Sequence, residues 1–231
     1  MDFFEVVRAR RSIRKFKSEP VPEAVIRQAL DAAVLAPNSS NLQTWDFYWV
    51  RSSEKKASMV QACMSQSAAR TAAELIAVVA DPKLWRRSNP EIVKFVERIE
   101  APKLVQLYYQ KIVPLTYRWG IFNLWVPLKW SVTALSGLFK PMARGPHSKR
   151  DLQEVAIKSA ALASENLVLA LTAQGYATCM MEGFDEVRVK RILRLRDSAR
   201  VVMVIAVGSE GERGTWGPQF RIPIEQVVHE I

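Results

Sequence analysis

A mixed fold of helices and strands around a sizeable apolar core is what this sequence predicts, and three observations carry the expectation. Two unbroken apolar runs, 75–80 and 201–208, have the length and composition of central strands covered on both faces. Two long stretches, 23–35 and 151–174, repeat their apolar residues at helical spacing. The chain has 231 residues with 49% hydrophobic content, enough material for one large domain or two small ones.

Residues 1–9 read as a short helix with an apolar stripe of Phe3, Phe4, Val6 and Val7. Pro20 and Pro22 then break the chain before the helix at 23–35, and Pro37 follows its end. A loop rich in amides and hydroxyls, Asn38, Ser39, Ser40, Asn41, Gln43 and Thr44, leads into a strand at 46–50. Helix is expected over 54–73, strand over 75–80 and helix over 90–100. Gly175 closes the helix of 151–174 from the usual C-terminal position. A short strand at 176–181 then runs into the turn Glu182-Gly183-Phe184, and Asp185 caps a helix over 186–195. After the strand at 201–208 the tail is polar until it closes on a short apolar helix.

The segment 104–145 is different in kind. It interleaves Trp119, Trp125, Trp130, Tyr108, Tyr109, Tyr117, Phe122 and Phe139 with Arg118, Lys129 and Lys140. Three readings are open: a lid or dimer arm packed against protein, an attachment to an anionic membrane surface, and a span over 119–139. Pro127 and Lys129 lie in the middle of that window and argue against the span.

Charge is equally uneven. The net charge is +10, and residues 83–150 carry thirteen Lys and Arg against three Asp and Glu, so the whole excess lies there. From 101 to 150 there are eight bases and no acid, the pattern of one attached surface. No helix-turn-helix or RNA-binding signature accompanies it, so no nucleic-acid partner is expected. Cys63 and Cys179 stand far apart with two histidines in the chain, which indicates neither a disulfide framework nor a metal site. A reducing, cytoplasmic setting fits, with peripheral contact at the inner membrane face as the alternative use of 101–150. The N-terminal residues lack the pattern of a cleaved secretory signal.

The chemistry-bearing cluster is Arg10-Arg11-Ser12-Ile13-Arg14-Lys15-Phe16, four cations and a hydroxyl in seven residues. Guanidinium forks and a hydroxyl are suited to phosphate or to polarised carbonyl oxygens. The polar loop at 37–45 offers alternating donors and acceptors that can read the edge of a planar heterocycle.

With Arg-Arg-Ser-Ile-Arg-Lys-Phe at 10–16, Ala-Pro-Asn-Ser-Ser-Asn-Leu-Gln-Thr-Trp at 36–45, Glu-Gly-Phe-Asp at 182–185 and Arg221 near the end, the chain resembles the nitroreductase family of flavin enzymes. The resemblance covers 1–80 and 150–231. It implies an α+β fold with a central, mostly antiparallel sheet flanked by helices. It also implies a single domain over 1–231 carrying an aromatic and basic insertion at about 101–147, and a homodimer in which both chains, interlocked, build each FMN site. Arg10 and Ser12 would hold the FMN phosphate and ribityl chain with Arg11 close by, and Arg221 would return to the phosphate. Arg14 would face the pyrimidine edge. Asn38, Ser39, Ser40 and Asn41 would approach from the partner subunit, while Glu182 and Gly183 would lie along the ring system with a backbone N–H directed at N5.

The implied activity is reduction of a small-molecule acceptor, a nitroaromatic, quinone or related compound, by ping-pong hydride transfer from NADH or NADPH through flavin N5. A fixed cation such as Arg14 would favour the reduced flavin, whose negative charge gathers at the N1/O2 edge. Nothing resembles a Rossmann glycine fingerprint that could separate NADH from NADPH. Three departures stand out: Thr44 where the family has proline, Gln219 where it often has a cation, and Met64 to Arg70 where relatives place an Asn and a Lys. Gln66 or Arg70 would substitute in the last. Two other classes remain open: a flavin protein of the same fold with dehalogenating or flavin-fragmenting chemistry, and a non-catalytic membrane-surface module.

Overall fold

A computed structural model describes residues 1–118, 125–143 and 145–231. Trp119, Phe122 and the start of the 119–139 window lie outside the described residues, as do the side chains of 125–129.

Four strands form the sheet that the apolar runs predict: β1 (Trp45–Trp49), β2 (Glu74–Ala80), β3 (Ala177–Met181) and β4 (Arg200–Gly208). Their order is β1-β2-β4-β3 and every pairing is antiparallel. The two continuous apolar runs therefore take the two central places, where both faces need cover. Alternation then sorts their side chains. Leu75, Ala77 and Val79 join one buried cluster with Val204 and Ala206, while Ile76, Val78 and Ala80 join another with Ile205 and Val207. A register shift at Val78/Val79 lets Val201 follow Met203 opposite β2, so Val202 is skipped.

Helices cover the two faces. On one lie α2 (Glu23–Val34) and the 25-residue α9 (Lys149–Ala173), whose Ile26, Ala29, Ala163, Leu167 and Leu171 are fully buried. Small alanines between them permit close helix approach. The α9 start is fixed by a capping box between Ser148 and Asp151, and Gly175 follows its end at φ +82°. Half of its most apolar window is buried in protein, so this helix, though long and apolar enough to cross a membrane, is a core element. On the other face α3 (Ser53–Ala62) packs with α10 (Glu186–Leu193), which Asp185 caps as expected by accepting from Arg188 N–H.

Three expectations need correction. The stretch 54–73 is not one helix: α3 stops at Ala62, Met64 and Ser65 take left-handed backbone, and a short α4 (Ser67–Thr71) follows. The helix expected at 90–100 is α5 (Trp85–Arg98), which carries Pro90 inside it. Pro90 is the sixth residue of this helix and removes one i→i−4 hydrogen bond, yet the helix continues through it, so proline marked no boundary. The apolar close of the tail is a single 3₁₀ turn, Ile224–Gln226.

The aromatic segment divides. Helical turns α6 (Lys103–Leu107), a π-helical turn Tyr108–Ile112 and α7 (Val113–Tyr117) run on from α5. Val113 and Tyr117 are buried with Leu42, Trp85, Ile92, Val96 and Leu152 in a third cluster. This half meets the body of the protein through Val113, Tyr117 and Tyr109 and leaves Leu104, Leu107, Ile112 and Leu115 exposed. Helix α8 (Trp125–Ser136) and the turn after it leave Trp130, Leu135, Leu138 and Phe139 exposed.

Candidate active site

Residues 10–16 leave α1 (Phe3–Ala9) in extended backbone and run beside β3. Ser12 forms a parallel bridge with Thr178, and Ile13 N–H donates to the Thr178 carbonyl at 2.9 Å. Ile13 and Phe16 are thereby turned into the core, and Arg10, Arg11 and Arg14 remain half-buried at its edge. The tail folds back onto the same stretch: Gly211 N–H donates to the Lys15 carbonyl at 2.9 Å and Arg14 N–H to the Gly214 carbonyl at 2.8 Å. A Cβ on Gly214 would stand 2.8 Å from Ile13 Cγ2, so only glycine lets the strands approach this closely.

Side chains complete the join. Arg11 Nη2 donates to the Gly217 carbonyl at 2.7 Å, and the Arg14 guanidinium lies over the Trp216 ring, 4.5 Å from its centre. The result is a cavity of about 240 Å³ lined by Arg10, Arg11, Ser12, Arg14, Trp216 and Arg221 among others. Four guanidiniums thus share one cavity. The acid in contact with them is Glu165, 3.6 Å from Arg10 Nε. Burial pushes the neighbouring Cys179 thiol up and Arg14 opposes that, so the field of this arginine reaches β3. Such a donor set favours a dianion with several acceptor oxygens, which is the chemistry of a phosphate ester.

Along β3, Thr178 to Glu182 is four residues, or about 13 Å. The Glu182-Gly183 turn therefore stands one extended cofactor's reach from the arginines. Gln66 Nε2 donates to the Gly183 carbonyl at 2.5 Å, and Asp185 N–H donates to the Ala62 carbonyl at 2.8 Å, so the turn is braced from the α3–α4 loop. Gly183 N–H has no acceptor among the described residues and is exposed. Gln66 thus holds the turn with its amide nitrogen, a use that was not expected of it. Arg70 is exposed at the end of α4.

The polar loop lies elsewhere in the chain. Ser39–Asn41 form a 3₁₀ turn ahead of β1, at the end of the sheet where Trp45 pairs with Ala80. Thr178 pairs with Val207, which pairs with Glu74, so the arginine cluster is at the opposite end, about 20 Å away over six strand residues. Asn38 Oδ1 accepts from Gln43 N–H at 2.8 Å, Ser39 N–H approaches Ser159 Oγ at 3.5 Å, and Ser40 Oγ meets Tyr108 Oη at 2.5 Å. Ser40, Asn41 and Gln43 all take positive φ.

Sequence reasoning passed over Trp216, Gly217, Glu165 and Tyr108. Trp216 carried a signal, a large aromatic among glycines in a polar tail; the others had none.

A half-buried phosphate-sized cation pocket, a braced backbone turn one cofactor's length away and an all-antiparallel α+β scaffold define a binding protein for an extended phosphorylated cofactor. The chain belongs to the Nitroreductase family, whose model matches residues 7–209. It is 27% identical over 234 residues to a Thermus thermophilus protein named NADH dehydrogenase, covering 95% of this chain and 91% of the relative. It is 26% identical over 230 residues to a Streptococcus pyogenes protein assigned as the NAD(P)H nitroreductase Spy0809, covering 99% and 98%. The fold matches the crystal structure of an Exiguobacterium sibiricum protein assigned as a nitroreductase in complex with FMN, with a TM-score of 0.74 at 24% identity over 100% and 98% of the two chains. Membership makes the chain an oxidoreductase of the nitroreductase type, and the expected α+β fold is confirmed.

Proposed function

We propose that the chain uses FMN to pass reducing equivalents from NADH or NADPH to a small organic acceptor, a nitroaromatic, quinone or related compound, in ping-pong fashion. The observation that carries this reading is the convergence of Arg10, Arg11, Ser12, Arg14 and Arg221 on one cavity. When bound, FMN supplies a hydride relay at N5, alternately accepting and donating.

The chain's own residues do the rest. Arg10, Arg11, Ser12 and Arg221 hold the phosphate end by charge-assisted hydrogen bonds. Arg14, backed by Trp216, presents a fixed positive charge to the pyrimidine edge, where preorganised charge favours the more negative state without reorganisation. Gly183 N–H, braced by Gln66, orients the ring at its reactive edge, and no side-chain acid or base is required.

The dimer is part of the proposal. Asn38, Ser39, Ser40 and Asn41 serve the flavin bound by the other chain, because about 20 Å separates them from their own arginines. Exposed Phe3, Phe4, Phe220, Ile224, Val227 and Val228 at the two ends of the chain supply apolar surface for that association. Within the single domain 1–231, residues 101–147 act as a lid over the acceptor, tied to the loop through Tyr108 and Ser40.

The test is the visible spectrum of the purified protein before and after anaerobic addition of NADH and then NADPH. A flavin band that bleaches is the expected result. A band that persists points to non-nicotinamide chemistry, and failure to bind added FMN overturns the cofactor assignment.

A further inference from the structure

Beyond the arginine pocket, the structure holds a cavity of about 330 Å³ at the other end of the sheet, where Asp81 follows β2. Its walls are Trp85, Tyr117, Leu152 and Pro82, and the rings of Trp85 and Tyr117 meet at 5.8 Å and 41°. The cavity therefore has an aromatic wall.

Two polar groups in the lining lack partners. Tyr117 is only 7% exposed, and its hydroxyl has no hydrogen bond among the described residues. Gln153 Nε2 is buried and unbonded. A buried donor left unpaired costs about 1–3 kcal/mol, so Gln153 Nε2 marks a place where an acceptor belongs, and the Tyr117 hydroxyl is a second donor in the same lining. Burial pushes the Tyr117 phenol up to about 12, which keeps it a donor across neutral pH. Water could meet both donors, yet it would leave the apolar wall wet.

Charge selects the ligand further. Lys83, Arg86 and Lys149 stand at the exposed rim, with Arg86 over the Trp85 ring at 6.0 Å. Asp81 and Asp197 oppose them, which leaves the lining with three cations against two carboxylates, and Asp81 is buried, its Oδ1 accepting from Lys83 N–H at 2.9 Å and its Oδ2 from Ser198 Oγ at 3.2 Å. Donors inside, cations outside and an aromatic wall fit a flat apolar body bearing a carboxylate.

We infer that this cavity is a second ligand site, about 20 Å along the sheet from Ser12, that binds a small aromatic carboxylate against the wall formed by Trp85 and Tyr117, with its acceptor oxygens on Tyr117 and Gln153. None of these residues belongs to the arginine pocket, so the inference stands apart from the flavin assignment, and it touches the proposed lid only through Tyr117, which lies within 101–147.

The test is calorimetric titration of the FMN-supplemented full chain with 2-naphthoate, beside the neutral isostere 2-naphthamide. Expected is saturable binding at one site per chain with a submillimolar Kd, and about tenfold weaker binding of the amide. Lys149→Glu, an exposed change at the start of α9 where an acid is tolerated, should weaken naphthoate about tenfold. Tyr117→Phe, which keeps the ring, should weaken it about threefold to tenfold, and neither variant should alter the flavin spectrum. No saturable heat up to about 5 mM overturns the site. So does equal binding of naphthoate and naphthamide, or binding that both variants leave unchanged. Loss of binding in Arg221→Ala with retention in Lys149→Glu would move the ligand to the arginine pocket and overturn it as well.

Discussion

The Arg14 guanidinium rests over the Trp216 ring at 4.5 Å, so the cation assigned to the flavin's pyrimidine edge is backed by an aromatic from the opposite end of the chain. Trp216 is 87% exposed, and at such a site a cation–π contact contributes about 0.5–1 kcal/mol. Trp216→Leu should therefore weaken FMN binding by about twofold to fivefold, read by flavin fluorescence, and Trp216→Phe by less. The flavin midpoint potential should fall in Trp216→Leu, since a freer Arg14 stabilises the reduced state less; an unchanged potential would detach Trp216 from Arg14's role.

Arg11 and Arg221 are assigned to the phosphate rather than the ring. Arg221→Ala or Arg11→Ala should weaken FMN by about tenfold to a hundredfold, the value of one or two hydrogen bonds to a charged group, while leaving riboflavin nearly unaffected. Parallel titrations with the two flavins check this, and equal losses for both would remove the phosphate assignment.

Gly214 is required by packing. Its added Cβ would meet Ile13 Cγ2 at 2.8 Å and the Lys15 and Gly211 carbonyl oxygens at 3.2 Å, two of which are backbone atoms with little room to yield. Gly214→Ala should cost about 1–3 kcal/mol. Thermal unfolding should then fall by about 2–4 °C per kcal/mol, together with a loss of FMN affinity as the tail lifts from the arginines.

Gln66 braces the turn that carries Gly183. Gln66→Leu removes its bond to the Gly183 carbonyl, worth about 1 kcal/mol, and should slow flavin reduction by NAD(P)H in stopped-flow traces with FMN affinity little changed. Equal reduction rates in variant and parent would mean the turn is rigid without it.

Alkaline conditions should destabilise the fold. Burial raises the Cys63 thiol from 9.0 to about 11 and the Tyr117 phenol from 10.0 to about 12. Between each pair of values the unfolded chain binds fewer protons than the folded one, so stability falls as pH rises above about 9. Urea midpoints at pH 8, 9.5 and 10.5 measure the decline, and Cys63→Ala should flatten its first part. For the same reason folded Cys63 should resist thiol reagents at pH 8.

Much of this was legible in the residues. Unbroken apolar runs at 75–80 and 201–208 can be satisfied only in the middle of a sheet, and the cap signals at Ser148, Gly175 and Asp185 act within a turn of where they stand. The helix expected through 54–73 failed because left-handed Met64 and Ser65, neither of them glycine, interrupt it for the sake of the Gln66–Gly183 contact. Nothing in a helical pattern announces a partner 117 positions away.

By itself, then, the sequence determined what depends on local order: which segments are strands and helices, and which residue types could hold a phosphorylated flavin. Only the tertiary structure decided which of those residues meet. The return of the tail set Trp216 on Arg14 and Gly217 on Arg11, and the antiparallel sheet set the 38–41 loop about 20 Å from the chain's own arginines. Periodicity and capping are read within a few residues, whereas a site is set by contacts between chain segments whose separation in sequence carries no distance in space.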